Sequence, residues 1–465
     1  MSEQTPQEAA NRTAQTAGSA SDLVPHKKVL SLGIPLIITT LTTPLLGLVD
    51  TAIMGHLPDA AYLGAVAIGT VVFNFLFWSF GSLRLSTVGF SAQALGAGDQ
   101  MEQKASLLRP LISGLCIGVA LVLLQWPLLT AGLWLMGGTE QVSGFARDYA
   151  EIRIWAAPLT LGNYALVGWF LGRGQTRTTL FLQVLINLVN IALSLLFVIE
   201  LNMTIKGVAF ATVLAEGTGF LAGLVMAFQG LRKIRLRTDW AQVLERARLL
   251  ALAKVNGDIF IRSACLVLSF GLFTKMGASF GEETLAANAV LIQLVYLASY
   301  ALDAFAHVAE ILTGQAKGAR DRSLFDAAVR QSSLWAAGTS LVIALAFWFG
   351  GSAIISLFTS IPAVQINAET YLIWAAISPL VGVASYQLDG VFTGTTQTSA
   401  LRNGMVQSAI VYAVSALVLS HFYGNHGLWL AFSGFFALRA LTLLRYYPTL
   451  RSSIGAENTH SIKAA

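Results

Sequence analysis

Apolar segments of about 20 residues recur along nearly the whole chain, and each is long enough to cross the hydrocarbon core of a membrane. Hydrophobic residues make up 55% of the 465 residues, charged residues only 11%, and the mean hydropathy is +0.66. A soluble globule cannot bury such a proportion of apolar side chains. The sequence therefore predicts an all-α integral membrane protein that forms one helical bundle, with little chain left for a soluble domain.

Twelve transmembrane spans are predicted from these segments. Their ranges are 29–54, 61–83, 110–136, 149–171, 179–200, 207–229, 257–279, 285–312, 332–357, 368–393, 403–421 and 426–445. Cys116 and Cys265 are the two cysteines, and each lies within an apolar segment. Their position predicts neither a disulfide framework nor a thiolate metal site.

Lysine and arginine residues fall mainly on one side of the predicted membrane. If the N-terminus with Lys27 and Lys28 is cytosolic, every second loop is basic, and so is the longest loop, 230–256. The positive-inside rule then predicts a multi-pass protein of the inner (plasma) membrane with both termini in the cytosol. The isoelectric point of 9.2 reflects contact with the inner leaflet rather than binding to nucleic acid.

An internal repeat is visible at a shift of 222 residues. GWFLGRGQT at 168–176 aligns without a gap with GVFTGTTQT at 390–398, and at the same shift SAQALGAGD at 91–99 aligns with TGQAKGARD at 313–321. Each half holds six spans, an even number, so the halves have the same orientation in the bilayer. Two parallel six-helix lobes with a pathway between them are typical of transporters.

The repeat and the basic loop divide the chain into five parts. The first 25 residues are small and polar without the features of a signal peptide, which predicts a disordered tail. The predicted parts are a cytosolic tail at 1–27, an N-terminal lobe at 28–229, a basic cytosolic linker at 230–256, a C-terminal lobe at 257–446 and a second cytosolic tail at 447–465.

The sequence lacks the motifs of soluble-type catalysis and of ATP binding. It has no Walker A, G-x-S-x-G or H-E-x-x-H pattern and no metal-ligand spacing. Uphill transport must then be coupled to an ion gradient, and the ionisable residues inside the spans are the candidates for coupling. We therefore expect a secondary transporter that is not an enzyme, binds no metal and needs no cofactor beyond its coupling ion.

Asp50 is the most informative of these residues, because it lies in PLLGLVDTAIMGHL, late in the first span. An ionised carboxylate in hydrocarbon costs on the order of 2–3 kcal/mol, and such residues are usually functional. Asp50 is thus a candidate proton carrier; the alternative is a permanently hydrogen-bonded structural residue. Pro35 and Pro44 each remove a backbone donor, which predicts a helix that is bent or bendable near Asp50.

Polar residues on the fifth and sixth spans are further candidates. Asn187, Asn190 and Ser194 share one helical face, which either hydrogen-bonds Asp50 or a substrate or joins neighbouring helices. Glu216 in the sixth span is a second lone carboxylate, with a coupling or a structural role.

The C-terminal half has its own candidates in DAFAHVAE of the eighth span and in the tenth span. Asp303 is deep enough to line a cavity, and Glu310 lies nearer the cytosolic end. His307, between them on the same face, either lines the cavity with them or only forms a hydrogen-bonding bridge. Asp389 is another candidate, and Arg262 is expected to pair with an acidic group. Acidic side chains outnumber basic ones across these spans, which favours organic cations as substrates.

These motifs resemble the multidrug and toxic compound extrusion (MATE) transporters, in the DinF-type branch, from about residue 28 to 450. PLIITTLTTPLLGLVDTAIMGHL looks like the first helix of that family, NLVNIAL like its fifth-helix motif, and LDGVFTGTTQTSALRN like its tenth-helix signature. The resemblance implies twelve helices in two lobes, a bend at Pro35, proton coupling at Asp50 and an amide of the same network at Asn190. Where many members carry an Asp after this Asn, the chain has Ser194.

The combined prediction is a proton-coupled antiporter that exports small amphipathic organic cations. A bundle of this size can enclose its own pathway, so we expect a monomer. Sodium coupling, a lipid-linked flippase and a membrane-embedded lipid enzyme are the alternatives. A flippase needs a more cationic cavity for phosphate-bearing cargo, and an enzyme needs a nucleophile and a base at one depth.

Overall fold

Helices make up the bundle throughout the part of the chain that the structure describes. The computed structural model describes residues 23–55, 60–232, 234, 236 and 238–455, apart from the side chains of residues 43–46, 48, 50, 51, 60 and 78. Among these residues there is no β-strand. Backbone N–H and C=O groups have no water to bond in lipid, so helices that satisfy them internally are the expected solution. The side chain of Asp50, most of the predicted N-terminal tail and the last ten residues lie outside the described part.

The described residues of the first half of the chain form nine helices. They are α1 (His26–Gly55), α2 (Ala60–Trp78), α3 (Ser82–Gly96), α4 (Gln100–Leu123), α5 (Gln125–Met136), α6 (Glu140–Arg153), α7 (Ala157–Gly172), α8 (Thr176–Leu195) and α9 (Thr204–Arg232). A short 3-10 turn joins α6 to α7, and a π-helical turn follows α8. The predicted second, third and fourth spans each cover parts of two consecutive helices.

Six further helices follow in the described part of the second half. They are α10 (Trp240–Val243), α11 (Arg246–Gly277), α12 (Glu282–Gly318), α13 (Arg322–Phe358), α14 (Pro362–Gly394) and α15 (Thr398–Ser453). Gly424 interrupts α15 with φ 56° and ψ −138°, a conformation that glycine adopts without strain. Beyond the break, Asn425 and Asn288 exchange side-chain hydrogen bonds of 2.8 and 2.9 Å, which tie the last span to α12.

Ten helical stretches of the described chain are long and apolar enough to cross a membrane. The last of them is divided at Gly424, and the 30-residue α1 precedes them all. The described helices thus accommodate the twelve spans predicted from the sequence. The fold-class prediction of an all-α membrane protein is confirmed.

Each lobe has its own hydrophobic core. In the N-terminal lobe Phe73, Tyr149 and Leu161 belong to one buried cluster, and in the C-terminal lobe Phe273, Trp429 and Phe432 belong to another. The ring centroids of Phe273 lie 4.8 and 4.9 Å from those of the other two, which is the spacing of aromatic pairs that contribute beyond area burial. A separate cluster joins the start of α1 to α12 and α13, so the lobes also pack against each other.

The internal repeat is reproduced in three dimensions at the predicted shift of 222 residues. A Cβ on Gly168 or Gly172 of α7 would lie 2.6 or 2.5 Å from a backbone oxygen of α3. A Cβ on the equivalent Gly390 or Gly394 of α14 would lie 2.1 or 2.0 Å from a backbone oxygen of α12. Glycine is required at these positions because the paired helices approach backbone to backbone. The two lobes therefore have the same internal packing.

The aspartates that end the repeat motifs at 91–99 and 313–321 are equivalent N-caps. The Asp99 carboxylate accepts a 2.9 Å hydrogen bond from the N–H of Glu102, and Asp321 accepts one of 2.9 Å from the N–H of Leu324. Hydrogen bonds from the Ser323 hydroxyl and the Leu324 N–H lower the pKa of Asp321 below its usual value. These caps explain why an aspartate ends the motif in both halves.

Candidate functional site

The polar face predicted on α8 is buried and joins three helices. The Asn187 Nδ2 donates to the carbonyl of Thr42 on α1 at 3.3 Å, and the Asn190 Nδ2 donates to the Thr212 hydroxyl on α9 at 3.1 Å. Ser194, which is fully buried, donates to the Asn190 Oδ1 at 3.4 Å. Asn190, Ser194 and Thr212 thus form one hydrogen-bonded network, whereas Asn187 bonds separately to α1. Thr212 is a member that the sequence did not indicate.

Glu216 lies one turn beyond Thr212 on α9 but bonds to a different helix. The Asn163 Nδ2 of α7 donates to the Glu216 carboxylate at 2.7 Å and to the Glu216 backbone carbonyl at 3.1 Å. Glu216 makes no hydrogen bond to α1 within the described chain. The structure therefore places Glu216 beside the α8 network rather than inside it.

Pro35 is buried near the middle of the contact that α1 makes with α12. The Thr39 hydroxyl donates to the carbonyl of Pro35 at 2.8 Å, and the Thr40 hydroxyl donates to the carbonyl of Tyr300 on α12 at 3.0 Å. Because Thr42 bonds to Asn187 of the N-terminal lobe, α1 is hydrogen-bonded to both lobes within one turn.

Asp389 in the C-terminal lobe is held by two arginines. The Asp389 Oδ2 accepts from the Nη2 of Arg262 on α11 and, at 2.5 Å, from the Nη2 of Arg439 on α15. The Arg439 side chain is 2% exposed and its guanidinium lies 5.3 Å from the ring centroid of Phe436. The sequence indicated the partnership of Arg262 but gave no sign of Arg439, which stands alone in an apolar run.

Of the three candidate residues in DAFAHVAE on α12, His307 and Glu310 contact each other, whereas Asp303 does not bond to either. The His307 Nδ1 and the Glu310 Oε2 lie 2.8 Å apart, and Glu310 is almost fully buried. Asp303 is half-buried and forms neither a hydrogen bond nor an ion pair with any residue that the structure describes. Asp303 is therefore the acid of this group that is available to a ligand.

A reciprocal contact closes the end of the bundle that is predicted to be cytosolic. The Gln93 Nε2 of α3 donates to the carbonyl of Gly394 in the other lobe at 2.9 Å, and the equivalent Gln315 Nε2 of α12 donates to the carbonyl of Gly172 at 3.2 Å. We call this contact, together with Gly96 and Gly318, the inner clasp.

The glycines of the inner clasp bring α3 and α12 into backbone contact. A Cβ on Gly96 would lie 1.9 Å from the Gln315 oxygen, and a Cβ on Gly318 would lie 2.0 Å from the Gln93 oxygen. The sequence repeat matched these glutamines and glycines, but their pairing across the lobes depends on the pseudo-twofold arrangement of the helices.

Comparisons with known proteins agree with this architecture. The sequence model of the family described as MatE matches residues 35–196 and 259–421, once in each half. DNA damage-inducible protein F of Escherichia coli (strain K12) is 42% identical over 426 residues, which are 90% of this chain and 91% of that protein. The probable multidrug resistance protein NorM of Bradyrhizobium diazoefficiens is 26% identical over 470 residues, or 92% and 94% of the two chains.

Solved structures show the same fold at lower identity. The Vibrio cholerae MATE transporter VcmN in the bent form superposes with a TM-score of 0.81 at 23% identity, covering 94% of this chain and 98% of that one. A MATE protein in the bent conformation superposes with a TM-score of 0.85 at 18% identity, again over 94% and 98%. The two matches of the MatE model and the relative aligned over nine tenths of the chain show that this protein belongs to the MATE family of multidrug efflux transporters, in the DinF-type branch.

Proposed function

We propose that this protein exports small amphipathic organic cations from the cytosol in exchange for protons. It works as a monomer in the inner (plasma) membrane with both termini in the cytosol. The lobes at 28–229 and 257–446 move relative to each other around the linker at 230–256, and the tails at 1–27 and 447–465 are cytosolic. The proposal deepens the family assignment by naming the coupling ion, the substrate class and the orientation.

The observation that carries the proposal is that α1, the helix of Asp50, is hydrogen-bonded to both lobes. Thr42 bonds to Asn187 in the N-terminal lobe, and Thr40 bonds to Tyr300 in the C-terminal lobe. A change in the position of α1 must alter both contacts. Protonation on this helix is therefore a direct way to bias the arrangement of the lobes.

The register of α1 and α8 supports Asp50 as the proton site. The two helices pack against each other, and the bond between Thr42 and Asn187 fixes their relative height. Asp50 lies eight residues beyond Thr42 and Ser194 seven beyond Asn187, about 12 and 10 Å farther along parallel helices. Asp50 and Ser194 thus occupy similar depths, and we assign to Pro35 the bending of α1 that follows protonation.

Ser194 supplies a hydroxyl at the position where many relatives have a second carboxylate. If two carboxylates take part in proton coupling, the N-terminal lobe must supply the second from another position. Glu216 lies one turn along α9 from Thr212, which accepts from Asn190. We assign Glu216 a share in proton coupling through Asn163, which donates to its carboxylate.

Protons fit the C-terminal lobe better than sodium does. A sodium ion is a hard cation that needs several oxygen ligands. The Asp389 carboxylate is already neutralised by Arg262 and Arg439, so this lobe does not offer it to a cation. The unbonded Asp303 can receive the positive group of a substrate, which favours cationic cargo.

Alternating access requires that the lobes separate at the cytosolic end, and the inner clasp is the contact that has to break. Its hydrogen bonds are few and each is worth only about 1 kcal/mol, so ligand binding or protonation can shift the balance. The structure with the inner clasp closed corresponds to the state that releases substrate outward.

Ion-gradient experiments on the purified protein in liposomes test this function. An imposed proton gradient is expected to drive uptake or release of a fluorescent organic cation, whereas a sodium gradient of equal size is expected to drive none. Protein-free liposomes set the background leak. Transport that follows the sodium gradient and ignores the proton gradient would overturn the coupling, and transport of an anionic dye alone would overturn the substrate class.

A further inference from the structure

A cavity of about 310 Å³ lies between the two lobes beside the inner clasp. Its walls come from α3 and α4 of the N-terminal lobe, from the first turns of α11, which lie in the linker, and from Gly318 on α12 of the C-terminal lobe. The residues that matter for its chemistry are Phe90, Ser106, Arg109, Arg248, Ala251 and Leu252. Because both lobes line the cavity, whatever fills it contacts both lobes at once.

The equivalent place in the other half of the repeat is filled by the protein itself. At the shift of 222 residues Ala251 corresponds to Val29, Phe90 to Leu312 and Ser106 to Ala328. Val29, Leu312 and Ala328 are all buried in one cluster with the start of α1. Ala251, in contrast, is exposed. The cavity is therefore a feature of one half and not a consequence of the repeated fold.

Two arginines are held in fixed positions in the wall of the cavity. Arg109 is 6% exposed and donates to the backbone carbonyls of Gln242 and Val243 and to the Glu102 carboxylate, so it clamps the linker onto α4. The Arg248 Nη1 also bonds to Glu102, and the Arg248 Nε donates to the exposed Glu245 at 2.8 Å.

The Arg248 Nη2 makes no hydrogen bond to the described part of the chain and is available to an anion. Two carboxylates also line the cavity. Glu102 is compensated by both arginines, and one oxygen of Asp99 caps the N-terminus of α4. The guanidinium of Arg248 is thus the charged group of the cavity with a free donor.

The linker beside the cavity has the composition of a chain that lies in the headgroup layer. Leu236, Trp240 and Leu244 are each at least half exposed, and residues 230–256 carry seven basic and two acidic residues. Exposed apolar and aromatic side chains among lysine and arginine are typical of the membrane interface, and such segments attract acidic lipids.

We propose that this cavity binds one anionic phospholipid of the cytosolic leaflet. The headgroup phosphate bonds to Arg248, and the first part of an acyl chain lies on the apolar wall made by Phe90 and Leu252. The lipid contacts both lobes, so it stabilises the arrangement in which the inner clasp is closed. The proposal uses the cytosolic orientation given above but does not depend on the transported substrate or on the coupling ion.

Native mass spectrometry of the full-length protein, released from nanodiscs of phosphatidylglycerol and phosphatidylcholine, tests this site. Wild-type protein is expected to retain one phosphatidylglycerol. Ala251→Leu, which fills the cavity as Val29 fills its counterpart, is expected to reduce that occupancy about tenfold or more. Arg248→Gln is expected to remove the preference for phosphatidylglycerol over phosphatidylcholine. Lys254→Gln, an exposed position on the same helix outside the cavity, is the matched control and should behave as wild type.

The Ala251→Leu variant is interpreted only if its unfolding temperature equals that of the wild type. If Ala251→Leu is destabilised, Ala251→Val, which adds a smaller side chain, replaces it. Equal retention of phosphatidylglycerol by the filled variants and wild type would overturn the proposal. Equal retention of both phospholipids by wild type would also overturn it, as would retention of added oleic acid in place of phospholipid.

Discussion

Replacing Gly96 and Gly318 by alanine is expected to open the cytosolic side of the protein. A Cβ at these positions would lie 1.9 and 2.0 Å from backbone oxygens of the opposite lobe, so α3 and α12 must separate to admit it. Overpacking of this kind costs about 1–3 kcal/mol per site. The closed arrangement of the inner clasp should therefore lose at least about tenfold in population relative to the open one.

Distances between spin labels at equivalent positions on the cytosolic side measure this change. Gln100→Cys and Arg322→Cys, both exposed and related by the repeat, place one label on each lobe in a chain whose two native cysteines are replaced by serine. The alanine variants should show a longer distance than their parent. Gly338→Ala is the control, because a Cβ there meets nothing within 4 Å. An unchanged distance distribution in the double variant would show that the inner clasp does not set the closed state.

Asp389→Asn is expected to destabilise the C-terminal lobe more than any other single loss of charge described above. The substitution removes the only carboxylate that, within the described chain, forms an ion pair with the guanidinium groups of Arg262 and Arg439 inside the lobe. Breaking a buried pair by removing one partner costs about 3–5 kcal/mol. The unfolding temperature in detergent should fall by about 10 °C.

Heating with a thiol-reactive fluorophore follows this loss in a Cys116→Ser background, which removes the exposed thiol and leaves Cys265, one turn from Arg262 on α11, as the reporter. Asp326→Asn is the matched control, because the pair of Asp326 with Arg451 has both side chains more than one third exposed and should contribute about 1 kcal/mol or less. Adding Arg439→Met to Asp389→Asn should restore part of the stability. Equal unfolding temperatures for the two Asp→Asn variants would show that the Asp389 pairs are not structural.

The spans and the repeat could be predicted because they depend on local composition. Apolar runs mark helices that lipid requires, and an even number of spans per half leads to parallel lobes. The spacing of Asn187, Asn190 and Ser194 likewise placed them on one buried face, since the helical period determines it. The aspartates that end the repeat motif, Asp99 and Asp321, proved to be N-caps.

The partners of the site residues could not be predicted, because they depend on which helices meet. Glu216 bonds to Asn163 on α7, and nothing in VLAEGTG indicates that helix. Arg439 stands alone in an apolar run, and only the packing of α15 on α14 brings it to Asp389. The pairing of Gln93 with Gly394 across the lobes has no local signal either, although both residues belong to repeat motifs.

Proton release on substrate binding is the measurement that tests the proton-coupled mechanism most directly. Purified wild-type protein in weakly buffered detergent solution should acidify the medium when an organic cation binds. The reason is that binding of the cation favours the arrangement of α1 in which Asp50 has lost its proton. Asp50→Asn should bind the same cation with no proton release, and Asp50→Glu should restore part of it. Undiminished proton release from Asp50→Asn, with binding retained, would contradict the assignment of Asp50 as the coupling residue.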